Sequence, residues 1–332
     1  MLINTLINDI FNIKNDEDFQ SLALKIFDYQ YKNIEIYQRY IHLLNIDTKQ
    51  INKIEDIPFL PISMFKFHKI ATKKVDENQY FESSGTTSQT PSVHYIADFS
   101  IYERSFLSCF EQFIGQPSQF AILALLPSYL ERQHSSLVYM VDKLMQKSKN
   151  PYNDFYLYNF SDLAQKLTYL RDKHIKTILF GVSFALLDFV EQFQIDFPEL
   201  IVIETGGMKT RRKEMARQEI HQILSAKLSV PHIYSEYGMA ELLSQAYSTN
   251  GTTFSCPQWM KVLLRDMQDP ISKESVPLGH KGGINIIDLA NIYSCSFIAT
   301  QDIGRLTGNN QFEVLGRFDN ADLRGCNLLY EQ

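Results

Sequence analysis

From Phe120 to Leu228 the chain alternates short unbroken apolar runs with amphipathic ones. "FAILALLP" leads to "SSLVYMVDKLMQK", "TILFGV" to "FALLDFVEQF", and "LIVIETGG" to "RRKEMARQEIHQILSAKL". Strand followed by helix, repeated, predicts an α/β fold built on a largely parallel sheet with helices against it. Upstream, residues 1–55 show helical periodicity interrupted by Asn, Asp and Lys, and "IPFLPISMF" then reads as extended and proline-punctuated. After Pro231 the rhythm becomes strands joined by turns, as in "KVLLRDMQDP", "GGINIIDLA" and "SFIATQDIGRL". The chain shows neither an internal repeat nor a Gly/Ser linker, so residues 1–332 are expected to form one unit. Its parts are a helical lead-in (1–55), an α/β subdomain (56–230) and a smaller β-rich subdomain (231–332).

Composition narrows the chemistry. Across 332 residues the apolar content is 45%, ample for a core, and the formal charge is -6. An acidic balance opposes a general nucleic-acid or anionic-membrane surface, so phosphate binding would have to be arranged locally. The start has no basic patch followed by an apolar run, and an uninterrupted apolar stretch of about 18 residues is not found, so no membrane insertion is expected and a cytoplasmic location is. Cys109, Cys256, Cys295 and Cys326 are scattered without CxxC or His spacing, which predicts neither a disulfide framework nor a structural metal.

Against that background four short stretches carry candidate chemistry. Ser83, Ser84, Gly85, Thr86, Thr87 and Ser88 follow a predicted strand at Tyr80–Glu82. Small hydroxyl residues let backbone N–H groups wrap a phosphate, although the stretch lacks the GK[ST] ending of a Walker loop and alone reads equally as an exposed turn. In "IYSEYGMAE", Tyr237 could lie on adenine beside Gly238, and the carboxylate of Glu241 could hold Mg²⁺; a plain strand end is the alternative. Gly206 and Gly207 close a strand, where open α/β sheets bind ligands, or where a simple turn sits. Asp302 could accept ribose hydroxyls and Arg317 could add donors, or either could be a surface ion-pair member.

In their order and spacing these stretches resemble the motifs of the adenylate-forming superfamily of acyl-CoA ligases and adenylation domains. Ser88 stands where that family has a second glycine, and Gln301 where it has another. The phrases "PFLPISMFK", "LPSYLERQHSSLVYM", "TGGMKTRRKE" and "LGRFDNADLRGCNLLY" resemble its acyl-protein synthetase (LuxE-type) branch from near Pro58 onward. The resemblance implies an enzyme that uses ATP and Mg²⁺ to convert a fatty or other carboxylic acid to acyl-AMP. It implies that Ser83 to Ser88 grip phosphates, with Thr86 and Glu241 catalytic, and that Tyr237, Gly238, Gly206 and Gly207 meet adenine. Asp302 and Arg317 would meet ribose. It further implies that Cys326 takes the acyl group as a thioester, for delivery to an acyl reductase-type acceptor protein.

One departure qualifies that expectation. Most such enzymes continue into a small C-terminal domain of roughly a hundred residues that carries a lysine, and this sequence has no counterpart; Lys66, Lys209 and Arg305 are candidate replacements. Two other readings stay open: a ligase passing the acyl group to free coenzyme A, and a noncatalytic nucleotide- or acyl-binding subunit. His134, just past a predicted strand, could line an acyl or thiol pocket, whereas His94 reads equally as a strand residue facing solvent. Trp259 is expected in the core or an acyl-pocket wall, and Cys109, Cys256 and Cys295 are expected to be structural.

Overall fold

The computed structural model describes residues 2–72, 75–83, 90–127, 134–206, 215–269 and 276–318. The lead-in forms three helices: α1 (Leu2–Ile10), α2 (Asp16–Asn33) and α3 (Glu35–Leu43). Asn15 caps α2 by accepting from the Asp18 N–H, and three acidic residues in the first turn complement the helix dipole. Phe19, Leu22, Ala23, Ile26 and Phe27 recur at helical spacing and are buried. They bring the helix against the main body, where Phe27, Tyr37 and Phe59 surround Phe297 at 6.1–6.3 Å between ring centroids.

The main body is one twelve-stranded sheet. Its parallel half consists of β4 (Ala121–Leu125), β5 (Asp154–Tyr156), β6 (Thr177–Val182), β7 (Ile201–Thr205) and β8 (Tyr234–Tyr237), in the order β5-β4-β6-β7-β8. Every residue of β4 and β6 is buried, as their unbroken apolar runs require when helices cover both faces. Those helices include α4 (Phe99–Phe113), α5 (Ser136–Ser148), α6 (Phe160–Asp172), α7 (Ser183–Gln192) and α8 (Arg217–Leu228).

From β8 onward the sheet continues edge to edge as antiparallel strands. These are β9 (Ala246–Ser248), β10 (Phe254–Ser255), β11 (Met260–Arg265), β12 (Lys281–Asp288), β13 (Phe297–Gly308) and β14 (Gln311–Arg317), in the order β8-β9-β10-β14-β13-β12-β11. A short β1 (Leu60–Pro61) adds to β13 in parallel. The turn-rich pattern after Pro231 is therefore an extension of the same sheet, and β8 still belongs to its parallel half. Beside it stands a separate hairpin, β2 (Tyr80–Glu82) with β3 (Val93–Tyr95), which frames the hydroxyl-rich stretch.

Candidate functional site

Tyr237 ends β8, where the sheet changes from parallel to antiparallel. Strand carboxyl ends are where open α/β sheets accept ligands. The Tyr237 hydroxyl donates to Asp302 Oδ2 at 2.7 Å, and its ring packs on Phe254 and Phe312. Burial, with the Asp302 carboxylate next in weight, keeps this phenol protonated, its pKa well above the ordinary tyrosine value. Asp302 lies on β13, directly across from Arg317 on β14, whose Nε is 3.2 Å from Oδ1.

Between β8 and β13 lie β9, β10 and β14, four steps in all. In a flat sheet four steps would span about 19 Å, so the Tyr237 to Asp302 hydrogen bond shows that the sheet curls over itself here. Curling makes neighbours of three motif residues that are as far apart in sequence as 237 and 317.

The hairpin is tied to the same place. His94 Nδ1 lies 2.8 Å from the carbonyl oxygen of Ala240, which needs a donor, so Nδ1 carries the proton. His94 is fully buried, its ring edge-on to Phe65. It therefore does not face solvent: the cross-strand partner Phe81 shares its buried side, and burial lowers the imidazole pKa to about 4. At the neck of the hairpin, the Ser83 N–H donates to Ser92 O and the Ser92 N–H donates to Ser83 Oγ. Ser83 is thus a residue that closes the loop. Ser84, Gly85, Thr86, Thr87, Ser88, Gly207, Lys209 and Cys326 lie outside the described residues.

Gly206 follows β7 with a φ of +71°, the left-handed region that a residue with a Cβ enters only with strain. Its carbonyl lies 2.9 Å from the Ser183 hydroxyl, whose one proton it shares with the Glu204 carboxylate. Gly238 leaves room for the Glu236 side chain, since a Cβ there would stand 2.4 Å from Glu236 Oε1. Glu241 is buried, and its main-chain carbonyl accepts from Asn291 Nδ2 at 2.8 Å. Among the described residues no group of three or more His, Cys, Asp or Glu side chains is placed to hold a metal ion. A magnesium ion that arrives with a nucleotide asks for less, one or two carboxylates beside substrate phosphates and water.

On the other side of the hairpin, the Glu82 N–H donates to His134 O, and the His134 ring stacks on Tyr80 at 4.1 Å. His134 lines an open cavity of about 310 Å³ with Tyr80, Phe99 and Tyr139 and with the polar Asn78, Gln79 and Asp142. Of the proposed replacement cations, Arg305 is engaged by Glu313 and Lys66 lies on the short helix Ile62–Lys66. Trp259 is a core residue: its Nε1 donates to Ser105 and Ser244, and its ring packs on Phe11. Cys109, Cys256 and Cys295 are buried with pKa values raised first by desolvation, as structural thiols would be.

Sequence reasoning missed a buried acidic pair at the ends of β7 and β8. Glu204 accepts from Ser183 and lies 3.7 Å from His221 Nε2 and 4.0 Å from Arg217 Nε, both on α8. Burial works to raise the Glu204 pKa, and these three groups together outweigh it, holding the carboxyl below the usual range. Glu236 accepts from Thr205, yet burial and the neighbouring Glu204 charge push it up to about 7. The available signal was the run Glu204 to Gly206 at a strand end, where a charged residue in an apolar strand needs partners.

The architecture is that of the adenylate-forming ligases. An open form of 2-hydroxyisobutyryl-CoA ligase, solved with 2-HIB-AMP and CoA, matches over 93% of this chain and 72% of its own, with a TM-score of 0.68 at 12% identity. O-succinylbenzoate coenzyme A synthetase of Bacillus subtilis, solved with ATP and a magnesium ion, matches over 74% of this chain and 51% of its own, with a TM-score of 0.51 at 14% identity. Within that class, residues 6–130 match the family described as acyl-protein synthetase, LuxE. A long-chain-fatty-acid–luciferin-component ligase of Photorhabdus luminescens is 37% identical over 76 residues, which make up 22% of this chain and 65% of that relative. No helix among the described residues is long and apolar enough to cross a membrane.

Proposed function

We propose that the protein activates a carboxylic acid with ATP and carries the acyl group on its own Cys326. A carboxylate oxygen bonds to the α-phosphorus as the bond to pyrophosphate breaks, giving acyl-AMP. The Cys326 thiolate then attacks the acyl carbonyl carbon, AMP leaves, and a thioester forms for a protein acceptor of the acyl-reductase type. The observation that carries the reading is the meeting of Tyr237, Asp302 and Arg317 at the carboxyl end of a parallel strand in a fold matching adenylate-forming ligases.

In this reading Ser83 to Ser88 would bind the phosphates, and Thr86 would be catalytic. Tyr237 with Gly206, Gly207 and Gly238 borders the adenine, and Asp302 with Arg317 takes the ribose hydroxyls. Asp302 has accepting capacity left for this: a carboxylate offers about four lone-pair sites, and Tyr237 and Arg317 use two. Glu241 would hold Mg²⁺, which neutralises phosphate charge when bound. The acyl portion is assigned to the aromatic cavity beside His134. A LuxE match and a relative named for long-chain fatty acids favour a fatty acid.

Two measurements test this. Pyrophosphate–ATP exchange that depends on added fatty acid is expected, and its absence across an acid panel would leave a binding subunit. Intact mass after incubation with ATP and acid should show a hydroxylamine-labile acyl adduct that Cys326→Ser abolishes. An adduct that persists in that variant, or transfer only to free coenzyme A, would overturn the carrier role.

A further inference from the structure

We infer that Arg265, at the end of β11, is a positioning residue for the nucleotide sugar: it locks the irregular stretch of β13 that carries Asp302. The inference rests on the assignment of Asp302 to ribose made above. Arg265 pairs with Gly283 across the β11/β12 ladder, next to a register shift between Gly283 and Asn285. A bulge of that kind leaves main-chain groups without ladder partners. The guanidinium fills the gap, with Nη1 donating to Ile284 O and Asn285 Oδ1, both at 2.8 Å, and Nη2 donating to Thr300 O.

Those bonds reach Asp302 through one residue. Thr300 Oγ1 donates to Ile284 O at 2.9 Å and accepts from the Asp302 N–H at 3.1 Å. The same guanidinium therefore holds both the carbonyl of Thr300 and the carbonyl to which the Thr300 hydroxyl is bonded. Its other face carries Phe318, 5.4 Å from ring centroid to Cζ, immediately after Arg317. One cation thus touches both sides of the Asp302 and Arg317 pair, the main chain at Thr300 and the ring of Phe318.

The geometry depends on a glycine. A Cβ on Gly283 would stand 2.6 Å from Arg265 Cζ and 2.8 Å from Nε, so a side chain there would displace the guanidinium. Lysine cannot replace this arrangement fully, because a single ammonium lacks the planar fork that meets three acceptors at once. A purely structural plug would predict equal damage to every ligand, whereas a ribose-aiming role predicts damage only where the ribose hydroxyls are present.

The test compares ATP with 2′,3′-dideoxy-ATP by calorimetry, for wild type, Arg265→Met, Arg265→Lys and Gly283→Ala, alongside acid-dependent exchange. For Arg265→Met we expect Kd for ATP to rise about tenfold and Kd for the dideoxy nucleotide to change by less than about twofold. Arg265→Lys should fall between, Gly283→Ala should follow Arg265→Met, and exchange at saturating ATP should be kept. If Arg265→Met does not fold, the other two variants carry the same comparison. Equal weakening of both nucleotides, or no weakening of either, overturns the role of Arg265 while leaving the exchange activity standing. A wild-type protein that binds both nucleotides alike overturns the Asp302 assignment itself.

Discussion

Tyr237 and Glu236 are consecutive residues at the end of β8. Strand alternation sends their side chains to opposite faces, and both faces are buried. Tyr237 was legible because an aromatic residue before a glycine at a strand end has a chemical reading. Glu236 was not, because its charge suggests solvent and its nearest partner, Thr205, lies on another strand. Its folded pKa of about 7 stands above the model-compound value of 4.5, so the folded protein binds the proton more tightly than the unfolded chain. The resulting stabilisation is full below 4.5 and is lost as pH rises through 7. Each pH unit within that window costs up to about 1.4 kcal/mol. Thermal unfolding of wild type and Glu236→Gln should therefore nearly coincide at pH 4.5, with the variant increasingly the more stable towards pH 8. Curves that stay parallel across the range would refute this account of Glu236.

At the scale of elements, the hairpin β2/β3 is tied to the Tyr237 to Glu241 segment through His94. The sequence indicates β2 at Tyr80–Glu82, where the structure has it. What it hid was the anchor, since a histidine in a three-residue strand gives no sign of which side meets the core. The partner is the carbonyl of Ala240, 146 residues away. Replacing His94 by Leu would leave that carbonyl without its donor in a buried setting, at a cost of about 1–3 kcal/mol. The hairpin should then open more often than the sheet. Amide exchange is expected to accelerate at 80–82 and 93–95 while β4 and β6 keep their protection. Uniform acceleration over the whole sheet would mean that His94 supports the core generally and is no specific strap.

At the scale of the whole molecule, the helical lead-in packs against β13 and the segment before it. Sequence periodicity revealed the helices and left their docking open, because the residue that fixes it is polar. Gln30, fully buried, donates to Asn291 O, Ile292 O and Ser296 Oγ and accepts from the Ser296 N–H. Asn291 in turn donates to Glu241 O, so α2 is connected through two side chains to the segment that follows Tyr237. Phe11, after α1, adds a second contact through its packing on Trp259. A lead-in bound this way should unfold with the sheet. Gln30→Met fills nearly the same volume and strands several buried polar groups, each worth about 1–3 kcal/mol when unsatisfied. In a urea titration of that variant, Trp259 fluorescence and far-ultraviolet circular dichroism should move together to a lower midpoint with an unchanged slope. Because Trp259 touches Phe11, an early fluorescence step followed by a later dichroism step would show the helices leaving a sheet that stands without them. The chain from α2 to Glu241 would then have no bearing on how the site is held.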